Sequence, residues 1–223
     1  MTALIFLWVL FQNATIGSSE LSEPHLRKHF EAHLQHEWKG IKTVTGKGEW
    51  HSGEGDFFVS YQVKRDKGIA ILDRKLPMKW WTDGVQTKIQ APWTNGQTEP
   101  STPISGLVLG QLWSFGSPLE PFKHNLIAKG EVKVDEFYCY WFRYEGAPYS
   151  FDFFLKKKDL LLYKTNVINL NSETVLTRTV ERYRTFGPFA IPMQIVINTE
   201  EDKHLFVFTE VLLGDPVSDL LFE

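Results

Sequence analysis

Apolar and polar residues alternate with a period of two through much of this chain. Between Asp56 and Lys64, Phe57, Val59, Tyr61 and Val63 fall on one side and Phe58, Ser60 and Gln62 on the other. That is the pattern of a strand with one face covered. Similar runs predict strands over Ile41–Trp50, Gly68–Arg74, Met78–Thr82 and Val85–Gln90, with a two-residue hairpin turn at Asp83-Gly84. A second series of longer strands is predicted over Val132–Tyr144, Tyr149–Lys157, Leu160–Asn169, Thr174–Tyr183, Ile191–Asn198 and Leu205–Val211. The turns between them are short, as between neighbouring antiparallel strands. Gly46-x-Gly48 and Gly53-x-Gly55 read as hairpin punctuation.

Two stretches change period. Leu21, Leu26, Phe30, Leu34 and Trp38 form one stripe of a predicted helix over Glu20–Trp38, with Ser22 as cap and Pro24 in the first turn. Ile104, Leu107, Val108, Leu112 and Phe115 follow helical spacing again, widened by Leu109 and Trp113. Phe122–Ile127 reads as a short helical turn. About eleven strands in one flat open sheet would be unusual, so strong twist should curl them into a barrel or part of one. An amphipathic helix must cover something, and the concave side of a curved sheet is the natural place. The expected fold is mainly β, a curved antiparallel sheet with a helical lid. Strands of the second half carry apolar residues on both sides, as in Phe151, Phe153, Phe154 and Leu155. That implies cover on both faces or a lined hollow on one.

Composition narrows the function. The chain has 223 residues, a fitting length for one domain over residues 18–223. The apolar run Leu4–Phe11, followed by Gly17-Ser18-Ser19, gives residues 1–17 the look of a secretory signal peptide too short to span a bilayer. With 17 Phe, 8 Trp and 7 Tyr, aromatic residues are plentiful and suit strands. The net charge of −3 is well mixed and no basic face emerges, which argues against a nucleic-acid partner. Lys156-Lys157-Lys158 reads as a solvated hairpin end, and the basic run from Arg178 to Arg184 is modest. Cys139 is the sole cysteine and reads as a buried, inert thiol. His25, His29, His33 and His36 read as a polar helix surface rather than a zinc site.

No serine elbow, phosphate-binding loop or dinucleotide fingerprint occurs. An enzyme, a cofactor and a metal are not expected, and a monomer is. The candidate site is apolar instead, since ligand cavities are mostly apolar with a few polar groups. Its candidate lining residues are Trp80, Leu107, Leu112, Trp113, Phe142, Phe153, Met193 and Ile195. Burying a fatty chain there contributes about 0.8 kcal/mol for each methylene.

The order of several short segments resembles the bacterial LolA/LolB-like family of outer-membrane lipoprotein-sorting proteins. The resemblance covers roughly Leu21 to Phe222. The opening helix runs into Trp38-Lys39-Gly40-Ile41-Lys42; Leu76-Pro77-Met78, the Asp83-Gly84 turn and Trp93 follow. Phe115-Gly116-Ser117-Pro118-Leu119 resembles the break after that family's middle helix, and the stretch from Tyr183-Arg184 through Gly187-Pro188 to Pro192 its late "Tyr-Arg…Gly…Pro" segment. The closing segment Glu210 to Phe222 resembles its last strand, proline and terminal phenylalanine. The resemblance implies a half-barrel with helices as a lid, in the periplasm, carrying lipid or lipoprotein acyl chains. It also implies an arginine inside the half-barrel, for which Arg65, Arg74 and Arg143 are candidates. Sensors or scaffolds of the same fold imply the alternative, a membrane-associated protein partner.

Overall fold

The computed structural model describes residues 24, 28, 41–64, 68–76, 78–82, 87–95, 97–100, 119, 122, 124–186 and 189–222. They form thirteen strands: β1 (Thr43–Ser52), β2 (Gly55–Lys64), β3 (Gly68–Asp73), β4 (Lys79–Thr82), β5 (Thr87–Gln90), β6 (Glu99–Pro100), β7 (Leu126–Val134), β8 (Phe137–Tyr144), β9 (Ser150–Lys156), β10 (Leu162–Ile168), β11 (Thr174–Phe186), β12 (Phe189–Thr199) and β13 (Lys203–Leu213). Short 3-10 turns occupy Pro92–Thr94 and Asp219–Phe222.

The chain divides into two compact units, one of residues 1–14, 37–115 and 204–223 and the other of 15–36 and 116–203. In the first unit the strand order is β6-β5-β4-β3-β2-β1-β13, and in the second β7-β8-β9-β10-β11-β12. The pairings within each are antiparallel.

The expected half-barrel with a helical lid is not what these residues form. Among the described residues the architecture is thirteen antiparallel strands with no α-helical element. Within each unit the outermost strands do not pair with one another, so neither set of strands closes on itself. Closure requires terminal strands able to hydrogen-bond along their length. β6 is only two residues long and contains Pro100, which lacks an amide hydrogen. The predicted helices over 20–38 and 104–115 lie outside the described residues, except that Pro24 and Lys28 have helical backbone. The signal-like residues 1–17 and the four helix histidines lie outside them as well.

Two further expectations change. The single strand expected over 132–144 is a hairpin, β7 and β8, turning at Asp135-Glu136. Asp135 takes a positive φ of 53°, which aspartate tolerates better than most side chains. Ile127 belongs to β7 and not to a helical turn. Gly46 and Gly48 are not turn residues but lie inside β1. A side chain at Gly46 would enter the Tyr61 ring and come within 2.7 Å of the Glu210 carbonyl oxygen. One at Gly48 would meet the Val207 carbonyl oxygen and come within 3.0 Å of Phe208 Cα. The absence of β-carbons there lets β13 and the Tyr61 ring approach, and Tyr61 packs on Phe208 with ring centroids 4.4 Å apart.

In this first unit alternate residues of β1–β4 and β13 build an aromatic core. Trp50 stacks on Phe206 at 5.3 Å and meets Trp80 edge-on at 5.0 Å, while Phe57 lies 5.7 Å from Trp80. Phe206 is fully buried, so truncation removes a whole ring and leaves a cavity. Phe206→Ala is expected to cost about 3–5 kcal/mol, measured by chemical denaturation.

Candidate functional site

The second unit carries a ladder of directly opposed residues across six strands. Ala128 of β7 faces Phe142 of β8, and Phe142 faces Phe153 of β9. Phe153 faces Thr165 of β10, Thr165 faces Arg178 of β11, and Arg178 faces Ile197 of β12. Opposed residues in antiparallel strands share a face, so these six line up on one side of the sheet. From Phe142 to Ile197 none is more than 2% exposed. Val167 faces Leu176 and Val180 faces Ile195 on the same side. Met193 follows on β12, two residues from Ile195.

Part of the cover of this face is visible. Phe122 lies over its β8–β9 end, with ring centroids 4.6 Å from Tyr144, 5.0 Å from Phe151 and 5.5 Å from Phe153. Its backbone N–H donates to the Leu119 carbonyl, and Leu119 is itself fully buried.

Two polar side chains interrupt the apolar ladder. Arg178 is 1% exposed, and so is Thr165. Burial lowers the proton affinity of the Arg178 guanidinium, and the Tyr183 hydroxyl hydrogen-bonded to it pushes the other way. That hydroxyl donates in turn to the Leu162 carbonyl at 2.7 Å. Burial also pushes Tyr183 up, to about 12, against the nearby positive charge.

The opposite face of the same strands is organised differently. The Arg143 guanidinium donates from Nε and Nη2 to the two oxygens of Asp152, each at 2.7 Å, and Trp141 Nε1 donates to Asp152 Oδ1 at 2.7 Å. The Asp152 side chain is 6% exposed and that of Arg143 30%. The two changes are therefore unequal. Arg143→Ala leaves a buried carboxylate with one donor, whereas after Asp152→Ala the guanidinium reaches water. We expect losses of about 3 kcal/mol and about 2 kcal/mol respectively in denaturant titrations. Equal losses would contradict this asymmetry.

Of the eight lining residues expected from sequence, Phe142, Phe153, Met193 and Ile195 fall on the buried face of the second unit. Trp80 falls in the aromatic core of the first. Leu107, Leu112 and Trp113 lie outside the described residues. Of the candidate interior arginines, Arg143 is held by Asp152 on the other face and Arg74 is exposed, while Arg65 lies outside the described residues. Among the described residues the buried arginine is Arg178, which sequence reasoning placed in a basic run. Its signal was the alternation Leu176-x-Arg178-x-Val180, which puts it on the apolar side of β11. Among the described residues no three His, Cys, Asp or Glu side chains cluster as metal ligands. Burial raises the pKa of the Cys139 thiol while Lys156 lowers it.

Comparisons with protein-family models and with curated proteins returned no match. Solved structures do share the fold. A DUF1329 family protein from Desulfovibrio piger aligns with a TM-score of 0.62 at 12% identity, covering 88% of this chain and 96% of its own. A domain from Vibrio parahaemolyticus, provisionally assigned to an outer membrane lipoprotein-sorting protein, aligns with a TM-score of 0.63 at 8% identity, covering 89% and 94%. A LolA superfamily protein from Nitrosomonas europaea aligns with a TM-score of 0.58 at 11% identity, covering 89% and 96%. At these identities the likeness is one of fold, and the fold is LolA-like.

Proposed function

We propose that this protein is a periplasmic carrier that holds the acyl chain of a lipid or lipoprotein against the buried face of β8–β12, and that it performs no catalysis. The observation that carries this reading is the buried face of β8–β12, apolar at Phe142, Phe153, Met193, Ile195 and Ile197 and interrupted by Thr165 and Arg178, with Phe122 lying over one end of it among the described residues. Phe142, Phe153, Met193 and Ile195 are its proposed contacts. The LolA-like fold supports the reading, since one of the matched structures is of a domain assigned to lipoprotein sorting.

The energetics need no chemistry. Ten methylenes withdrawn from water contribute about 8 kcal/mol, from which the cost of ordering the chain is subtracted. A long chain therefore binds without a charged pocket, and a short one does not.

Titration of the purified protein with a fluorescent fatty acid tests this. Phe153→Leu removes part of one ring, about 1 kcal/mol of contact area, so affinity should fall about fivefold. Val44→Ala, on β1 of the other unit, is the stability control and should leave affinity unchanged. Equal affinities for Phe153→Leu and the wild type would count against this face as the binding surface.

A further inference from the structure

One end of the first unit carries two large apolar side chains that nothing in the fold encloses. β4 and β5 begin their pairing there with Lys79 opposite Gln90. Leu76 lies three residues before Lys79 and Trp93 three residues after Gln90, so both leave the sheet at the same end of adjacent strands. Trp93 is 63% exposed and Leu76 49%.

Both are held by fixed turns. Trp93 is the middle residue of the Pro92–Thr94 3-10 turn. Beneath it the buried Thr94 hydroxyl accepts from the Ala91 N–H at 3.2 Å and donates to the Gln97 carbonyl at 2.6 Å. On the other turn Asp73 Oδ1 accepts from the Lys75 N–H at 2.6 Å and from the Leu76 N–H at 2.7 Å. A side chain presented on a fixed turn loses little freedom when a partner covers it.

The charges beside them have one sign. Residues 74–78 and 91–98 contain Arg74 and Lys75 and no acid, in a chain whose net charge is −3. Lys47, Lys64, Lys129, Lys157 and Lys164 each face a carboxylate. Arg74 and Lys75 face the Phe58 ring instead, at 5.9 Å and 3.7 Å from its centroid, and are in no ion pair among the described residues. Of the acids that bound the two turns, Asp73 is engaged by the backbone and Glu99 opposes Ile89 on β6.

An indole and a leucine beside two unneutralised cations match the layers of a bilayer surface, where aromatic rings sit at headgroup level and basic side chains meet anionic lipid. A fluid bilayer closes around two projecting tips, which a protein surface does only with matching pits. We infer that the turns after β3 and β5 dock this protein reversibly on an anionic phospholipid membrane, with Trp93 and Leu76 at the apolar boundary and Arg74 and Lys75 against lipid phosphates. This surface is separate from the proposed acyl-chain face and stands whether or not that face binds a chain.

Flotation of the full chain with phosphatidylglycerol-rich vesicles and with pure phosphatidylcholine vesicles tests the docking. The wild type should float with the first, remain behind with the second, and be released from the first by salt. The double variant Arg74→Gln/Lys75→Gln should weaken binding about twentyfold, and Trp93→Ala about tenfold. Two changes in the second unit are the controls and should leave flotation unchanged. Lys133→Gln/Lys158→Gln removes the same charge from exposed positions, and Leu170→Ala removes a side chain that is also exposed. Absence of flotation with anionic vesicles overturns the proposal, and so does equal flotation with both kinds. An equal loss in the two charge variants assigns binding to net charge and overturns the role of the turns. Fatty-acid titration of Arg74→Gln/Lys75→Gln should match the wild type, and a parallel loss there would overturn the separation of the two surfaces.

Discussion

Gly48→Ala is expected to be among the most damaging single substitutions in this protein. The new methyl group would lie against the Val207 carbonyl oxygen and 3.0 Å from Phe208 Cα. Both are backbone atoms of β13, so no rotamer change relieves the contact. β1 and β13 must separate where Gly48 faces Phe208 and Trp50 faces Phe206, and the ring stack between Trp50 and Phe206 separates with them. We expect a loss of about 3 kcal/mol. Gly55→Ala is the comparison. Gly55 has a φ of +139° and open space around it, so only backbone strain acts there. Its expected cost is about 1 kcal/mol. Urea titrations of the two variants check the ranking. A milder effect for Gly48→Ala than for Gly55→Ala would contradict the close approach of β13 to β1.

Alkali is expected to unfold the protein steeply. Burial raises the pKa of Tyr61 and Tyr163 far above the ordinary tyrosine value. Tyr163 is raised further by the Asp135 carboxylate, to which its hydroxyl donates at 2.8 Å. Tyr183 is pushed up to about 12; it is half-buried as a residue, and its hydroxyl end is the enclosed one. Below about pH 10 these phenols are neutral whether the chain is folded or not, and nothing is lost. Above it the unfolded chain ionises while the folded chain stays protonated, so unfolding releases protons and stability falls with pH. The Tyr183 contribution is spent between about pH 10 and its raised value near 12. Each of the three contributes about 1.4 kcal/mol for every pH unit in its window, or about 4 kcal/mol together. Denaturation curves at pH 8, 10 and 11 measure the slope. Tyr61→Phe should flatten it by about one third, and an unchanged slope would show that Tyr61 is not held neutral.

The strands that the sequence predicts well are those with one face buried and one face wet. β2 alternates as Phe57, Val59, Tyr61 and Val63 imply, and its boundaries lie within a residue of those expected. β7 gave no such signal because most of it is exposed, with Ile127, Ala128, Lys129, Gly130 and Glu131 exposed in succession. An edge strand without a buried face has no period to detect, and charged edges are how sheets avoid further pairing. Its loss merged two strands into one. The count of strands suggested closure, but closure depends on what the terminal strands can bond, and a pattern of apolar residues does not report that. The glycines of β1 misled for a related reason, since close approach of another strand and a turn both call for glycine.

The apolar part of the buried face was legible in the sequence and its polar part was not. Phe142, Phe153, Met193 and Ile195 were expected to be enclosed because large apolar residues on predicted strands are usually buried, and they are buried. Arg178 and Thr165 were passed over because arginine and threonine are usually exposed. Their place between Leu176 and Val180, and opposite Phe153, becomes visible only when the register of β9, β10 and β11 is known. Register is a property of strand pairs, and a single strand read alone does not carry it.

Photo-crosslinking with a long-chain fatty acid bearing a diazirine at mid-chain, followed by peptide mapping, tests acyl-chain binding at this face most directly. Labels should concentrate on Phe142, Phe153, Met193 and Ile195, and excess unlabelled fatty acid should remove them. Labels that fall on the β1–β5 strands or scatter over exposed side chains, with no competition, would contradict it.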